Sequence, residues 1–498
     1  MNVNPITRLD YPDLDVIRVE DTYYMVSTTM HFMPGCEILQ SFDLVHWEHV
    51  TYVYETLDHT DAQQLKSGQN IYGQGMWAAS LRYHEGRFCI CFVANDTRKT
   101  YLYTSEKIDG PWKKQLIEGF YHDGSLLFDE DGRNYIVYGN DEIWITELNE
   151  DLTAPKKDGL HRLLVSDHKN PELGYEGSHI QKINGYYYIF LIHSLRDRWM
   201  RTEACFYSDS LEGEFTGGDV LCDDRGYCGQ GVSQGGIVDT PDGKWYAMLF
   251  QDSGAVGRIP ILLPVTWKDH FPFFGQNGHV PEEIEVHSTR PGYIYQPLVG
   301  SDDFCNGLLP RWQFNHDPDP RYYHLDALQG TYTITTREVC TELTQAVNTL
   351  TQRMSYPSCA AEVTVDASAL KEGDVAGLCA LQGCYAAVGI TKHHGKYEVL
   401  MMDKKEDGIL DMTEGTVVES HQMDFRLEAD FCNMKDEARC YYRVNKGDWL
   451  PIGTVHKLYF KLDHFTGCRF GLFCYAAEET GGSACFRDFK YYDVDEIS

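Results

Sequence analysis

Glu176-Gly-Ser-His-Ile-Gln-Lys-Ile-Asn-Gly-Tyr-Tyr-Tyr188 decides the fold of this chain, because its weak pattern recurs along the sequence. The pattern runs from a carboxylate through small residues and an apolar stretch to a Gly or Asp turn, and then to aromatics. Asp13-Leu-Asp-Val-Ile-Arg-Val-Glu-Asp-Thr-Tyr-Tyr24 and Asp123-Gly-Ser-Leu-Leu-Phe-Asp-Glu-Asp-Gly-Arg-Asn-Tyr135 repeat it, each opening on an acid. Trp77-Ala-Ala-Ser-Leu-Arg-Tyr-His-Glu-Gly-Arg-Phe88 and Gln234-Gly-Gly-Ile-Val-Asp-Thr-Pro-Asp-Gly-Lys-Trp-Tyr246 share it without the opening acid. The five starts, at 13, 77, 123, 176 and 234, are separated by 64, 46, 53 and 58 residues, the length of a four-stranded propeller blade with variable loops. Asp129-Glu-Asp-Gly132, Asn184-Gly185 and Pro241-Asp-Gly243 tolerate positive φ and would close the first hairpin of their blades. The expectation is an all-β chain opening with a five-bladed β-propeller whose repeated acids sit where the innermost strands begin.

The rest of the composition agrees with that class. Short runs rich in Tyr, Phe and β-branched residues alternate with Gly, Asp and Asn turns, and no long helical period stands out. With 498 residues, two domains are expected: residues 1–300 as the propeller, and residues 301–498, which carry no further repeat, as a separate strand-rich unit. A formal charge of −32 would repel a phosphate backbone or an anionic lipid surface, so neither nucleic acid nor membrane is an expected partner. The opening residues hold no apolar core of secretory-signal length and no later stretch is apolar enough to span a bilayer, which points to the cytoplasm. The sixteen cysteines show no Cys-x-x-Cys spacing and are read as reduced, mostly buried small hydrophobes.

Inner strands of a propeller surround one axis, so acids at their starts would converge on a single cavity. Cleavage of a glycosidic bond needs a carboxylic acid to protonate the leaving oxygen and an ionised carboxylate to activate water or attack carbon. Acids on separate rigid blades leave room for a water between them, and a third would hold the donor in place and keep its pKa high. Asp13, Asp123 and Glu176 form such a set. Asp15, Asp129 and Glu130 are read as turn or surface carboxylates, and His122 and His179 as structural histidines.

These residues resemble glycoside hydrolase family 43, inverting arabinofuranosidases and xylosidases on a five-bladed propeller. Asn4-Pro5 with Pro12-Asp13-Leu14-Asp15 is similar to the family's opening segment, His122-Asp123-Gly124-Ser125-Leu126 to its second signature, and Tyr175-Glu176-Gly177-Ser178-His179 to its third. The resemblance implies Asp13 as general base, Asp123 as the residue that orients the acid and tunes its pKa, and Glu176 as general acid. It further implies a sugar subsite drawing on His31 and Phe32, in Thr29-Met-His-Phe-Met-Pro-Gly35, and on Trp77 and Arg290. Many members carry a histidine at the start of the fifth blade, sometimes tied to a central calcium. Here Gln234 takes that position as a substrate-binding residue, so no metal or other cofactor is expected and a structural Ca has no support in the sequence. Trp312-Gln-Phe-Asn-His316, Asn348-Thr-Leu-Thr-Gln-Arg353 and Ala376-Gly-Leu-Cys-Ala-Leu-Gln-Gly383 resemble the concanavalin-like β-sandwich that follows the propeller in one branch of the family. The implied activity is release of terminal α-L-arabinofuranosyl or β-D-xylosyl units from plant-cell-wall oligosaccharides, with the oligosaccharide as the partner and an oligomer compatible with the sequence. The retaining fructosidases lack support, since their Asn-Asp-Pro-Asn type opening is absent. A noncatalytic carbohydrate-binding protein with a degenerate propeller is the alternative.

Overall fold

A computed structural model describes residues 2–493, which are almost entirely strands and connections. Five four-stranded sheets follow one another, each made from consecutive strands or, in the first, from neighbours with one short strand set aside. Their innermost strands are Asp15–Val19, Met76–His84, Ser125–Phe128, Glu176–Ile183 and Val232–Asp239. Each begins within two residues of a repeat start, because the conserved element of the repeat is an inner strand with its first turn. Ile183 pairs with Tyr186 across Asn184-Gly185, whose φ values of 51° and 86° are those a two-residue hairpin of right-handed twist demands.

Neighbouring inner strands pack around the axis, and the ring closes between the fifth sheet and the first. The chain start secures that closure. Asn2–Val3 pairs with Glu283–Ile284, while the buried Asn4 amide donates to Leu262 O at 2.7 Å and Pro281 O at 3.0 Å and accepts from Leu262 N at 3.1 Å. The axis itself is filled by Arg82, which bonds Asp15, Ser125 and the Ile180 carbonyl from three other blades. Asp15 is therefore no surface carboxylate: it is fully buried, and His179 Nδ1 also reaches it at 3.1 Å. Asp129, too, is buried, held by Lys182 Nζ at 2.6 Å and the Tyr187 hydroxyl at 2.5 Å.

The later residues form a seven-stranded sheet and eight strands of a nine-stranded one. Between them lies an apolar core that includes Trp312, Phe314, Tyr332, Phe425, Phe470 and Phe486. The same core takes in Ala255, Val256 and Ile259 of the fifth blade, so sandwich and propeller share buried surface. They also share a sheet, because Phe32–Met33, which leaves the first blade, pairs with Gln313–Asn315 of the sandwich. A buried ion pair adds register, Arg353 Nη1 meeting Glu37 at 2.8 Å, and within the sandwich Arg469 Nη1 donates to Gln313 Oε1 at 2.8 Å. No disulfide joins the cysteines of the described residues, and no helix there is long and apolar enough to cross a membrane.

Candidate active site

Asp13 and Asp123 each stand two residues before an inner strand, with left-handed backbone at φ 51° and 48°, and Gln234 shares that geometry at φ 57°. This region is sparsely populated by L-residues other than Asn and Asp, and such strain concentrates where a side chain must be aimed. Asp13, Asp123 and Glu176 line one cavity of about 230 Å³ at that mouth of the ring. A larger cavity of about 430 Å³ opens at the other ends of the same strands. Its acids, Asp239 and Glu130, are taken up by Arg18 at 2.5 Å and Lys182 at 3.1 Å, so the smaller cavity is the candidate site.

Asp13 is held at both carboxylate oxygens. Thr28 Oγ1 donates to its Oδ2 at 2.6 Å and Arg258 Nη1 to its Oδ1 at 2.5 Å. Arg258 Nε continues to Asp252 Oδ1 at 3.2 Å, and Asp252 Oδ2 meets Arg201 Nη1 at 2.8 Å, giving a buried chain of alternating charge behind the cavity. Such a chain is affordable only because each charge finds a partner.

Asp123 and Glu176 form a second group around His122. The His122 Nε2 atom lies 3.5 Å from Asp123 Oδ2 and 3.6 Å from Glu176 Oε2. Gly177 N donates to Asp123 at 3.0 Å, and Asn140 Nδ2 to Glu176 at 2.8 Å. Gly177 must be glycine at φ 65°, since a Cβ there would sit 2.8 Å from Gln234 Cδ. Burial works against charge on His122, but the carboxylates of Asp123 and Glu176 outweigh it and push the imidazole up to about 9. Burial pushes Asp123 up to about 6, with His122 pulling the other way and Glu176 adding to the rise. Burial also opposes ionisation of Glu176, yet the hydrogen bond and charge of His122, helped by Arg201 and Arg258, hold it below the usual value. The expectation that Asp123 keeps Glu176 high is thus reversed: burial raises Asp123, while the nearby charges of His122, Arg201 and Arg258 hold Glu176 low. Glu176 is the one with reach, its side chain 20% exposed against 8% for Asp123.

The roof comes from the sandwich. Leu462 and Phe465 line the cavity, and the Phe465 ring lies 4.1 Å from the Arg258 guanidinium and 5.4 Å edge-on from Trp77. Trp77 and Gln234 line the wall, where the sequence put them. His31 and Phe32 do not. They are buried behind the cavity at the sandwich contact, with the His31 ring 4.7 Å from His316 and 5.3 Å from His464, and with Arg469 3.5 Å above the Phe32 ring. Arg290 is outside as well, bonded to Asp21 at 2.8 and 3.1 Å and lying 4.0 Å over Phe42. Arg290→Ala should therefore leave KM within about twofold of the wild type, as for an ordinary surface change, and a larger rise in steady-state assays would return this arginine to the site.

The arginines that do face the cavity are Arg201 and Arg258, which the sequence reading passed over along with Asn140 and the catalytic-side placement of His122. Arg201 and Arg258 each head a strand, Arg201–Ser208 and Arg258–Lys268, whose next residues are largely buried. For Arg258, a lone cation opening the apolar run Ile259-Pro-Ile-Leu-Leu263 is the signal that would have found it, whereas Arg201, followed by Thr202 and Glu203, carries none. Among the described residues, His122, Asp123 and Glu176 are the one group with metal-ligand spacing, their ligand atoms within 4.8 Å of one another. At the Gln234 position the wall carries two guanidinium groups, Arg201 and Arg258, and this does not fit a divalent cation.

A ring of blades that converges buried acids and arginines on one small pocket defines a carbohydrate-active hydrolase. The chain belongs to glycosyl hydrolases family 43: the family model matches residues 3–272, and a beta-xylosidase C-terminal concanavalin A-like domain matches residues 301–492. It is a glycoside hydrolase of that family, all-β with a five-bladed propeller and a concanavalin-like sandwich. A beta-xylosidase of Formosa agariphila is 27% identical over 99% of this chain and 89% of its own length. A bifunctional GH43-CE protein of Bacteroides eggerthii is 41% identical with a TM-score of 0.91, covering all of this chain and 64% of its own, so this chain spans less than two thirds of it. A third relative is a GH43 glycoside hydrolase with an engineered active site, displaying endo-xylanase and exo-arabinofuranosidase activity. It is 27% identical with a TM-score of 0.88, covering 99% of each chain.

Proposed function

We propose that this protein is an inverting, exo-acting glycosidase that removes terminal α-L-arabinofuranosyl or β-D-xylosyl units from plant-cell-wall-derived oligosaccharides. The observation that carries the reading is a cavity of about 230 Å³, roofed by Leu462 and Phe465, holding one carboxylate gripped by Arg258 and a separate carboxyl pair beside His122. That volume is below the ~300–1,000 Å³ of pockets for drug-sized ligands and suits a single pentosyl ring. A closed end favours chain termini. The relatives' names, one a xylosidase and one with arabinofuranosidase activity, support both pentoses.

In the proposed cycle Asp13 takes a proton from a water that attacks the anomeric carbon, while Glu176 gives its proton to the glycosidic oxygen as the C–O bond breaks. Asp123 and His122 flank Glu176 and orient it, His122 Nε2 lying 3.5 Å from Asp123 Oδ2 and 3.6 Å from Glu176 Oε2. Arg258 holds Asp13 aimed, and together with Arg201 it offers donors to sugar hydroxyls. Neither organic cofactor nor metal has a step. Aryl α-L-arabinofuranoside and aryl β-D-xyloside, followed by phenol release and by proton NMR of the first product, test this reading. The expected result is turnover with the anomer inverted. A retained anomer, or no turnover of either glycoside, sinks it.

A further inference from the structure

Asp10 lies outside the cavity yet touches both of its halves. It is 3% exposed, and each carboxylate oxygen accepts a backbone N–H: Oδ1 from Arg258 at 2.7 Å, Oδ2 from Gly467 at 2.7 Å. Arg258 is in the fifth blade and Gly467 in the sandwich, two residues after the roof residue Phe465. The approach is so close that both neighbours must be glycine: a Cβ on Gly257 would lie 2.1 Å from Asp10 Oδ1, and one on Gly467 2.9 Å from Asp10 Cβ. Arg353 Nε fixes the Asp10 carbonyl at 2.9 Å, and Cys468 N bonds Ala255 O at 2.8 Å beside it. An apolar residue would seal an interface equally well. A buried carboxylate that needs both its donors instead sets one register, since losing either leaves an unsatisfied charge.

We propose that Asp10 is a positioning residue that latches the sandwich to the catalytic cavity, holding Phe465 across the guanidinium that grips Asp13. The proposal rests on the reading of this cavity as the hydrolytic site. Through the latch the accessory domain sets how tightly the terminal sugar is enclosed, so its loss acts first on substrate binding.

The test is a double-mutant cycle with Asp10→Ala, Phe465→Ala and the pair, measuring kcat and KM on whichever aryl pentoside the wild type hydrolyses, with thermal unfolding run alongside. If Asp10 acts through Phe465, each single change should raise KM about tenfold with a smaller effect on kcat, and the pair should also cost about tenfold. Multiplied effects of about a hundredfold, or a wild-type KM in Asp10→Ala, overturn the latch while leaving the hydrolase standing. Should Asp10→Ala fail to fold, Asp10→Asn keeps the volume and one acceptor and enters the same cycle with the same criterion. An inactive wild type removes the functional reading, and the latch with it.

Discussion

Glu176→Gln should lower kcat/KM on natural oligosaccharides by about 10²–10⁴-fold, the usual worth of a positioned proton donor. The amide keeps the shape of the carboxyl and the contact to Asn140 Nδ2 at one oxygen, so folding should survive and the loss should be chemical. An aryl glycoside with an acidic leaving group needs little protonation, and its turnover should drop far less. The pH profile separates this from a packing defect. A proton donor works only while it is protonated, so wild-type activity on natural linkages should fall as pH rises, giving an alkaline limb. In the variant acting on the aryl substrate, that alkaline limb should disappear. Unimpaired turnover of natural substrates, or an unchanged alkaline limb, would mean the acid is another group.

The propeller was legible because its information is local. Each inner strand and its hairpin is a short run with its own turn residues, such as Asn184-Gly185, and five repeats at blade spacing leave little choice of architecture. Asp13, Asp123 and Glu176 were legible for the same reason, since each opens a repeat. What the sequence hid is set by distant pairing. Phe32 reads as an aromatic beside a sugar-binding loop, but its surroundings are fixed by Asn315 and Arg469, hundreds of residues downstream. Arg258 and Arg290 look equally eligible along the chain. Only the ring geometry sends one into the cavity against Asp13 and the other to an exposed pair with Asp21. His122 looked like a structural neighbour of Asp123, because nothing in a His-Asp dipeptide says that Glu176 arrives beside it from the next blade. Asp15 and Asp13 are separated by one residue and differ in fate by the same logic: one enters the pocket, the other the axis.

The axis gives the largest expected effect on stability. Arg82→Ala should cost about 3–5 kcal/mol, the range for breaking a buried ion pair and leaving the partner charged. Arg82 Nη1 donates to Asp15 Oδ2 at 2.7 Å, Nη2 to Ser125 Oγ at 2.7 Å and to Ile180 O at 3.2 Å, and Nε to Leu126 O at 2.9 Å. One guanidinium from the second blade therefore ties the first, third and fourth. Burial opposes ionisation of Asp15, yet Arg82 and then His179 hold its carboxyl below the usual range. Without Arg82 that carboxylate keeps only His179 Nδ1 and the Leu81 N–H, at 3.1 and 2.8 Å. The melting temperature should fall by roughly 3–8 °C, read by calorimetry on the full chain. Arg82→Lys should recover part of the loss, because an ammonium can meet Asp15 but has no planar fork to reach three further acceptors. The sign of the pH dependence also follows: a carboxyl held low stabilises the fold above its unfolded pKa and stops doing so as pH falls, so the gap between wild type and Arg82→Ala should shrink toward acid. A melting temperature unmoved by Arg82→Ala would show that the blades close on their apolar packing alone.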